Sequence, residues 1–226
     1  MPASVRLRIA RVAIIILGLA IWFWTQSLIG AKAPVAGGNG IGDAIHNWTA
    51  NYNAWLHVHA GANNALLIAS SACIDALGLF LIATTLVGKN IRPFVGLILI
   101  FSLRQFNQAF TSLPIPPGQI WHSTGMPTLL VTYGVSNDLF FSGHTALAVF
   151  GAMELFRVKI KAIRVLAVAI ALFEVFAVLV LRAHYTMDVY AGAVTALFIG
   201  LLAEKIAAPI DRWLDSAAHP TDRTVK

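Results

Sequence analysis

Two short strings hold the residues that could do chemistry. They are Phe141-Ser142-Gly143-His144-Thr145 and, forty residues later, Arg182-Ala183-His184-Tyr185-Thr186-Met187-Asp188. His184 and Asp188 are four residues apart, so at the start of a helix they share a face and the carboxylate can hold one ring nitrogen. The other nitrogen is then a directed nucleophile or base, and Asp188 stabilises the cation that forms when His184 attacks. Ser142 suits the cap of a helix beginning near His144, and Gly143 lets a ligand come close to the backbone. Helix starts with free N–H groups attract phosphate. Arg182, with Arg104 upstream, adds guanidiniums that match phosphate oxygens in two-point contact. The chemistry this constellation favours is phosphoryl transfer.

The elements that must position these groups are apolar. The chain has 226 residues, of which 58% are hydrophobic and 12% charged, with a mean hydropathy of +0.75. That balance excludes an ordinary soluble domain and describes a chain dissolved in lipid. Six stretches of on the order of 20 residues are expected to span, at about 10–29, 63–87, 93–112, 143–156, 163–182 and 185–206. The fourth is short and is expected to extend backwards or tilt. Apolar and polar residues do not alternate, so the expected fold is an all-α integral membrane bundle of about six transmembrane helices rather than a barrel. It forms a single domain over 1–226, with its core motifs in 100–200 and a polar tail over 207–226. The run from Val12 to Gly30 is longer than a cleaved signal, so the first stretch reads as a retained anchor.

Charge sets the expected orientation. Thirteen of the 16 Lys and Arg fall at one end of the predicted spans, leaving Lys32, Arg104 and Arg182 at the other. The positive-inside rule then puts both termini in the cytoplasm and both motifs at the non-cytoplasmic surface, as in a plasma or bacterial-type inner membrane. The net charge of +6 is thus a topology signal, and the short apolar loops exclude nucleic acid as a partner. Residues 30–42 read as a Gly- and Ala-rich loop, and Asp43 to His59 as an interfacial helix. The Pro- and Gly-rich stretch 112–142 reads as an outer loop long enough to cap a site. Trp22, Trp24, Trp121 and Trp213 fit aromatic belts at the membrane surfaces. Cys73, the single cysteine, allows no intrachain disulfide.

FFSGHTA and RAHYTMDV resemble the paired signatures of the type 2 phosphatidic acid phosphatase superfamily, and most of all its sphingomyelin-synthase-like branch. Arg104 followed by Thr111-Ser112-Leu113-Pro114, and Asp138 ahead of the first signature, are similar to that branch as well. The resemblance implies His184 as the nucleophile that takes the phosphoryl group, Asp188 as its orienter and His144 as the acid that protonates the leaving oxygen. It further implies that Ser142, Gly143 and Arg182 hold the phosphate, that Arg104 and Asp138 join them in binding phosphate or substrate, and that neither metal nor cofactor is needed. Phosphatase relatives carry an arginine further upstream, where this chain has Phe176 and Val178, which leaves Arg182 as the substitute. The branch's acidic Pro-Leu-Pro-Asp segment is not matched, Pro34 and Asp43 being a poor echo.

Two outcomes share that first half-reaction. Water resolves the phosphohistidine in a lipid phosphatase or headgroup-releasing hydrolase, and a lipid hydroxyl resolves it in a headgroup phosphotransferase. The missing acidic segment and the absence of accessory domains tip the expectation slightly to hydrolysis of a lipid phosphoester. A haem or proton carrier is a more remote reading, since its histidines would face one another deep in the bundle. His57 and His59, two apart, fall on different sides of a helix and suit packing better than a metal. Asp75 and Glu174 lie inside spans, where they are neutral, paired together, or lining a polar cavity.

Overall fold

The computed structural model describes residues 3–30, 41–134 and 138–218, and every regular element among them is an α-helix. The helices are α1 (Ala3–Gly30), α2 (Ala44–Trp48), α3 (Ala50–Val58), α4 (Ala60–Val87), α5 (Arg92–Phe110), α6 (Gly143–Phe156), α7 (Lys161–Val180) and α8 (Thr186–Ala218). Residues 31–40 of the expected loop and 219–226 of the expected tail lie outside the described residues.

Four helices, α1, α4, α7 and α8, are long and apolar enough to cross a membrane. The chain is an integral membrane protein of helical type, but α5 and α6 fall short of the six spans expected. Polar residues from Arg104 to Gln108 interrupt the C-terminal part of α5. α6 has 14 residues and rises only about 21 Å. It does not extend backwards, because Ser142 caps it there with Oγ accepting from the Thr145 N–H at 3.3 Å. A helix surrounded by others need not match the lipid thickness, and α6 is such a helix. It packs on α4, α5, α7 and α8, and Gly143 to Ala148, Phe150, Gly151 and Glu154 are all buried.

The segment between α5 and α6 enters the bundle. Leu130 and Val131 belong to the main apolar core, and Leu130 fills the space that a side chain at Gly78 would need. Irregular backbone at this depth survives only where protein satisfies its polar groups. Asp75, midway along α4, does so: its carboxylate accepts the Leu129 and Leu130 N–H groups, each at 2.8 Å. Asp75 and Glu174 are therefore not a pair, since Glu174 Oε2 accepts from Ser70 Oγ at 2.7 Å.

At the opposite end of the bundle, the residues expected as tail continue α8 through Pro209 to Ala218. Ala207 and Leu214 are buried against Ile91, and Asp211 accepts the Ile91 N–H at 3.0 Å. The apolar spacing of that stretch outweighs its polar composition. Basic residues nearby also have structural partners: Arg92 pairs with Glu154, and Arg11 donates to the carbonyls of Thr85 and Gly88.

The start of α6 meets the start of α8 at Gly192, where a Cβ would come within 2.6 Å of the Ser142 carbonyl oxygen. That neighbour is backbone and cannot turn aside. We expect Gly192→Ala to force the two helices apart and to cost about 1–3 kcal/mol. Thermal unfolding in detergent measures this, and an unchanged transition would contradict the packing described.

Candidate functional site

Both motifs are helix starts, and each is held by a cap. At α8, Asp188 Oδ2 reaches back to the Tyr185 N–H at 3.0 Å, the reciprocal half of a capping box. The same oxygen lies 3.7 Å from His184 Nδ1, too long for a hydrogen bond but close enough to orient the ring. Asp188 is fully buried. Among the described residues His184 Nδ1 and Asp188 Oδ1 have no hydrogen-bond partner. Such contacts are often long until substrate binds.

A cavity opens between the α6 start, the α7–α8 turn and the C-terminal part of α5. His144, His184, Arg104, Asp138 and Gly143 line it together, with Trp121 as a wall. His144 is 9% and His184 4% exposed, so both are screened from bulk water. Trp121 meets the His144 ring edge-on, with centroids 5.2 Å apart, and anchors its own Nε1–H on the Thr132 carbonyl at 3.1 Å. His144 Nε2 has no partner among the described residues. A buried ring nitrogen left this way is ready for a ligand atom.

Arg104 is buried on α5 and tied to the strand of chain that leads into α6. Its Nε donates to the Phe141 carbonyl at 2.7 Å, one Nη to the Asp138 carbonyl at 2.9 Å, and the other pairs with Asp138 Oδ1 at 2.6 Å. Gly143 makes room for it, since a Cβ there would stand 3.1 Å from Arg104 Nε. Burial alone would raise the Asp138 pKa. The charge and hydrogen bonds of Arg104, the Gln108 amide and the charge of His184 outweigh that and hold it below the ordinary value. Asp138, expected among the substrate-binding residues, is thus an anionic partner of Arg104.

Two expected phosphate ligands sit elsewhere. Ser142 is buried behind the cavity, with Oγ committed to the Thr145 N–H and hydroxyl. Arg182 turns away, donating to the carbonyls of Pro117 at 2.6 Å and His46 at 3.1 Å from a left-handed backbone with φ of 53°. Its guanidinium locks the α7–α8 turn. The arginine that faces the cavity is Arg104.

The scaffold of that turn escaped the sequence. Asn53 Nδ2 donates to the carbonyls of Val180 and Gly118, the Ile120 N–H donates to the Leu181 carbonyl, and His46 Nε2 bonds the His184 carbonyl at 3.0 Å. Asp43 caps α2 through the N–H groups of Ile45 and His46, and also accepts the Thr186 N–H and hydroxyl. An Asp one residue ahead of a helix is a legible cap, but its second partner 143 residues away is not. His57 bonds the Gly118 carbonyl, while His59 bonds the Trp55 carbonyl and stacks on its ring. Trp24 and Trp213 are exposed, whereas Trp22 and Trp121, also expected in a belt, line the cavity.

A family model described as AtPDCT1/2 matches residues 42–205, a span that takes in every residue expected at the site. No curated protein and no solved structure matches the chain. The match corrects the expected assignment to the sphingomyelin-synthase-like branch of the phosphatidic acid phosphatase superfamily. Paired His and Asp motifs can be shared by different lipid enzymes and say little about the branch or the substrate.

Asp43 joins two helix starts, so its charge matters beyond its own turn. Burial would raise its pKa, but the bonds from Thr186 and His46 and the charge of His46 hold it below the ordinary 3.8. A lowered folded pKa means the stabilisation is complete above 3.8 and is lost as pH falls through the lower folded value. We expect Asp43→Asn to lose about 1 kcal/mol at neutral pH and to flatten the acid limb of stability below that point. Thermal unfolding against pH reads both effects, and an acid limb identical to that of the unmodified protein would refute the clamp.

Proposed function

The chain belongs to the AtPDCT1/2 family, an enzyme family of lipid headgroup phosphotransferases, and from that premise we propose that it moves a phosphate-bearing headgroup between membrane lipids. The group moved is phosphocholine, taken from phosphatidylcholine and given to the hydroxyl of a diacylglycerol. Transfer replaces the hydrolysis that the sequence slightly favoured. The observation that carries this reading is the enclosure of both histidines, 9% and 4% exposed, in a cavity walled by tryptophans. A phosphohistidine kept from water survives until a lipid hydroxyl arrives.

The residues take the following roles. Asp188 faces His184 Nδ1, which leaves Nε2 to attack the phosphorus. The bond to the glycerol oxygen breaks as His144 gives that oxygen a proton, and the headgroup phosphate stays on His184. An incoming lipid hydroxyl then attacks the same phosphorus, His144 takes its proton, and His184 is released. Arg104, held by Asp138, stabilises the charge that grows on the phosphoryl oxygens. Both half-reactions are the same step run in opposite directions, so one acid–base residue suffices.

In the membrane, α5 and α6 cross as well, shielded from lipid by the four long helices, which gives six crossings. The basic end faces the cytoplasm and the cavity faces the other side, where α2 and α3 lie along the surface. The Trp48, Tyr52 and Trp55 side chains, all exposed, suit that interfacial position.

Donor lipid labelled in the headgroup phosphate is expected to leave an acid-labile, base-stable label on the protein, and His184→Ala to leave none. Asp188→Asn is expected to slow transfer by on the order of 100-fold or more without loss of fold. Label retained in His184→Ala would dismiss the nucleophile. Release of free phosphocholine at the same rate with and without diacylglycerol would return the assignment to hydrolysis.

A further inference from the structure

α1 lies outside the matched residues 42–205, and the sequence gives it only an anchor's part. In the fold it faces the cavity. Trp22 and Gln26, four residues apart and so on one face of α1, are 5% and 9% exposed and line the cavity with Arg104, His144 and His184. Among the described residues neither Trp22 Nε1 nor Gln26 Nε2 has a hydrogen-bond partner. Two buried N–H donors left empty at one place are costly and ask for an acceptor.

Their placement is built. Gln105 on α5 donates to the Trp22 carbonyl at 3.1 Å and takes the Thr25 hydroxyl on its own side-chain oxygen. Phe101 packs on the Trp22 indole with centroids 4.5 Å apart. At Gly18, one turn below Trp22, α1 comes so close to α5 that a Cβ would stand 2.9 Å from the Phe94 ring. The helix therefore cannot rotate these two side chains out of the cavity without breaking its contact with α5.

The chemistry of the missing acceptor follows from the donors. Arg104 and the two histidines answer the charge of a phosphate, whereas indole and amide N–H groups are neutral and suit neutral carbonyl oxygens. They stand one helical turn apart, about 6 Å along α1, a separation suited to two oxygens at different depths in the membrane. A glycerolipid with its phosphate at His184 offers such oxygens in its acyl ester carbonyls. We propose that Trp22 Nε1 and Gln26 Nε2 bind the ester carbonyls of the donor glycerolipid, so that α1 reads the linkage between glycerol and acyl chain. This assignment takes the lipid's identity from the headgroup-transfer reading.

The test compares diester phosphatidylcholine with its diether analogue of equal chain length, using the full chain in lipid nanodiscs. Equilibrium binding and kcat/KM are measured for each. Trp22→Phe keeps the ring and Gln26→Met keeps the length, so both remove the donor with little change of shape, and thermal unfolding checks the fold. The expected result is a preference of the unmodified protein for the diester. Each variant should then lose about 5- to 10-fold on the diester and stay within about twofold on the diether. No preference in the unmodified protein, or equal losses on both lipids, would overturn the proposal. If neither lipid is turned over but the diester binding preference and its loss in the variants persist, headgroup transfer falls and the two donors keep their assignment.

Discussion

The contact between the start of α6 and the start of α8 is what the site depends on. The Ser142 N–H donates to the Asp188 carbonyl at 3.0 Å, and Gly192, one turn further along α8, leaves room for the Ser142 carbonyl. Asp188 thus joins three things: its backbone receives α6, its side chain caps α8, and the same carboxylate faces His184. Two motifs forty residues apart become one cavity because both are helix starts and the starts are pressed together. Any displacement of one helix relative to the other moves His144 away from His184.

A buried turn must satisfy its own carbonyl and amide groups, and that requirement explains the otherwise puzzling polar residues around the α7–α8 turn. Val180, Leu181 and His184 each give a carbonyl to a group from α2, α3 or the long loop. Arg182 answers in the other direction by donating to Pro117 and His46. Midway along α4, Asp75 does the same service for Leu129 and Leu130. Removing either partner of such a bond leaves a desolvated group behind, which is costlier than never having built it. The polar residues around the turn therefore specify its position more than they add to stability.

Enclosure links this architecture to the proposed chemistry. A catalytic histidine near an open surface would hand its phosphoryl group to the abundant nucleophile, water. Trp121, Trp22 and the inserted loop cover His144 and His184, and the cavity they leave is bordered by a membrane helix, α1. In the proposed reaction that side is where a lipid hydroxyl would enter. Selection between water and lipid then rests on access rather than on a different set of reacting groups.

The sequence by itself determined the all-helical class, the positions of the long apolar elements, the cap at Ser142 and the placing of the Asp188 carboxylate near His184. Each follows from local rules: hydropathy over about 20 residues, the helical repeat, and the chemistry of helix starts. Only the tertiary structure decided which arginine faces the cavity, because Arg104 and Arg182 look alike until their partners are known, and one holds Asp138 while the other holds two carbonyls. The same is true of Asp75, Asp43, Trp22 and Gln26, whose partners or shared cavity lie on other elements of the fold. α6 marks the boundary between the two kinds of information. Its apolar run and its cap were readable, although it was expected to extend backwards, and its place at the centre of the bundle comes from the close approach allowed by Gly96, Gly151 and Gly192, which face Phe150, Leu77 and the Ser142 carbonyl across helices distant in the chain. Spacing along a chain encodes what one helix presents, whereas what it presents it to is settled by packing.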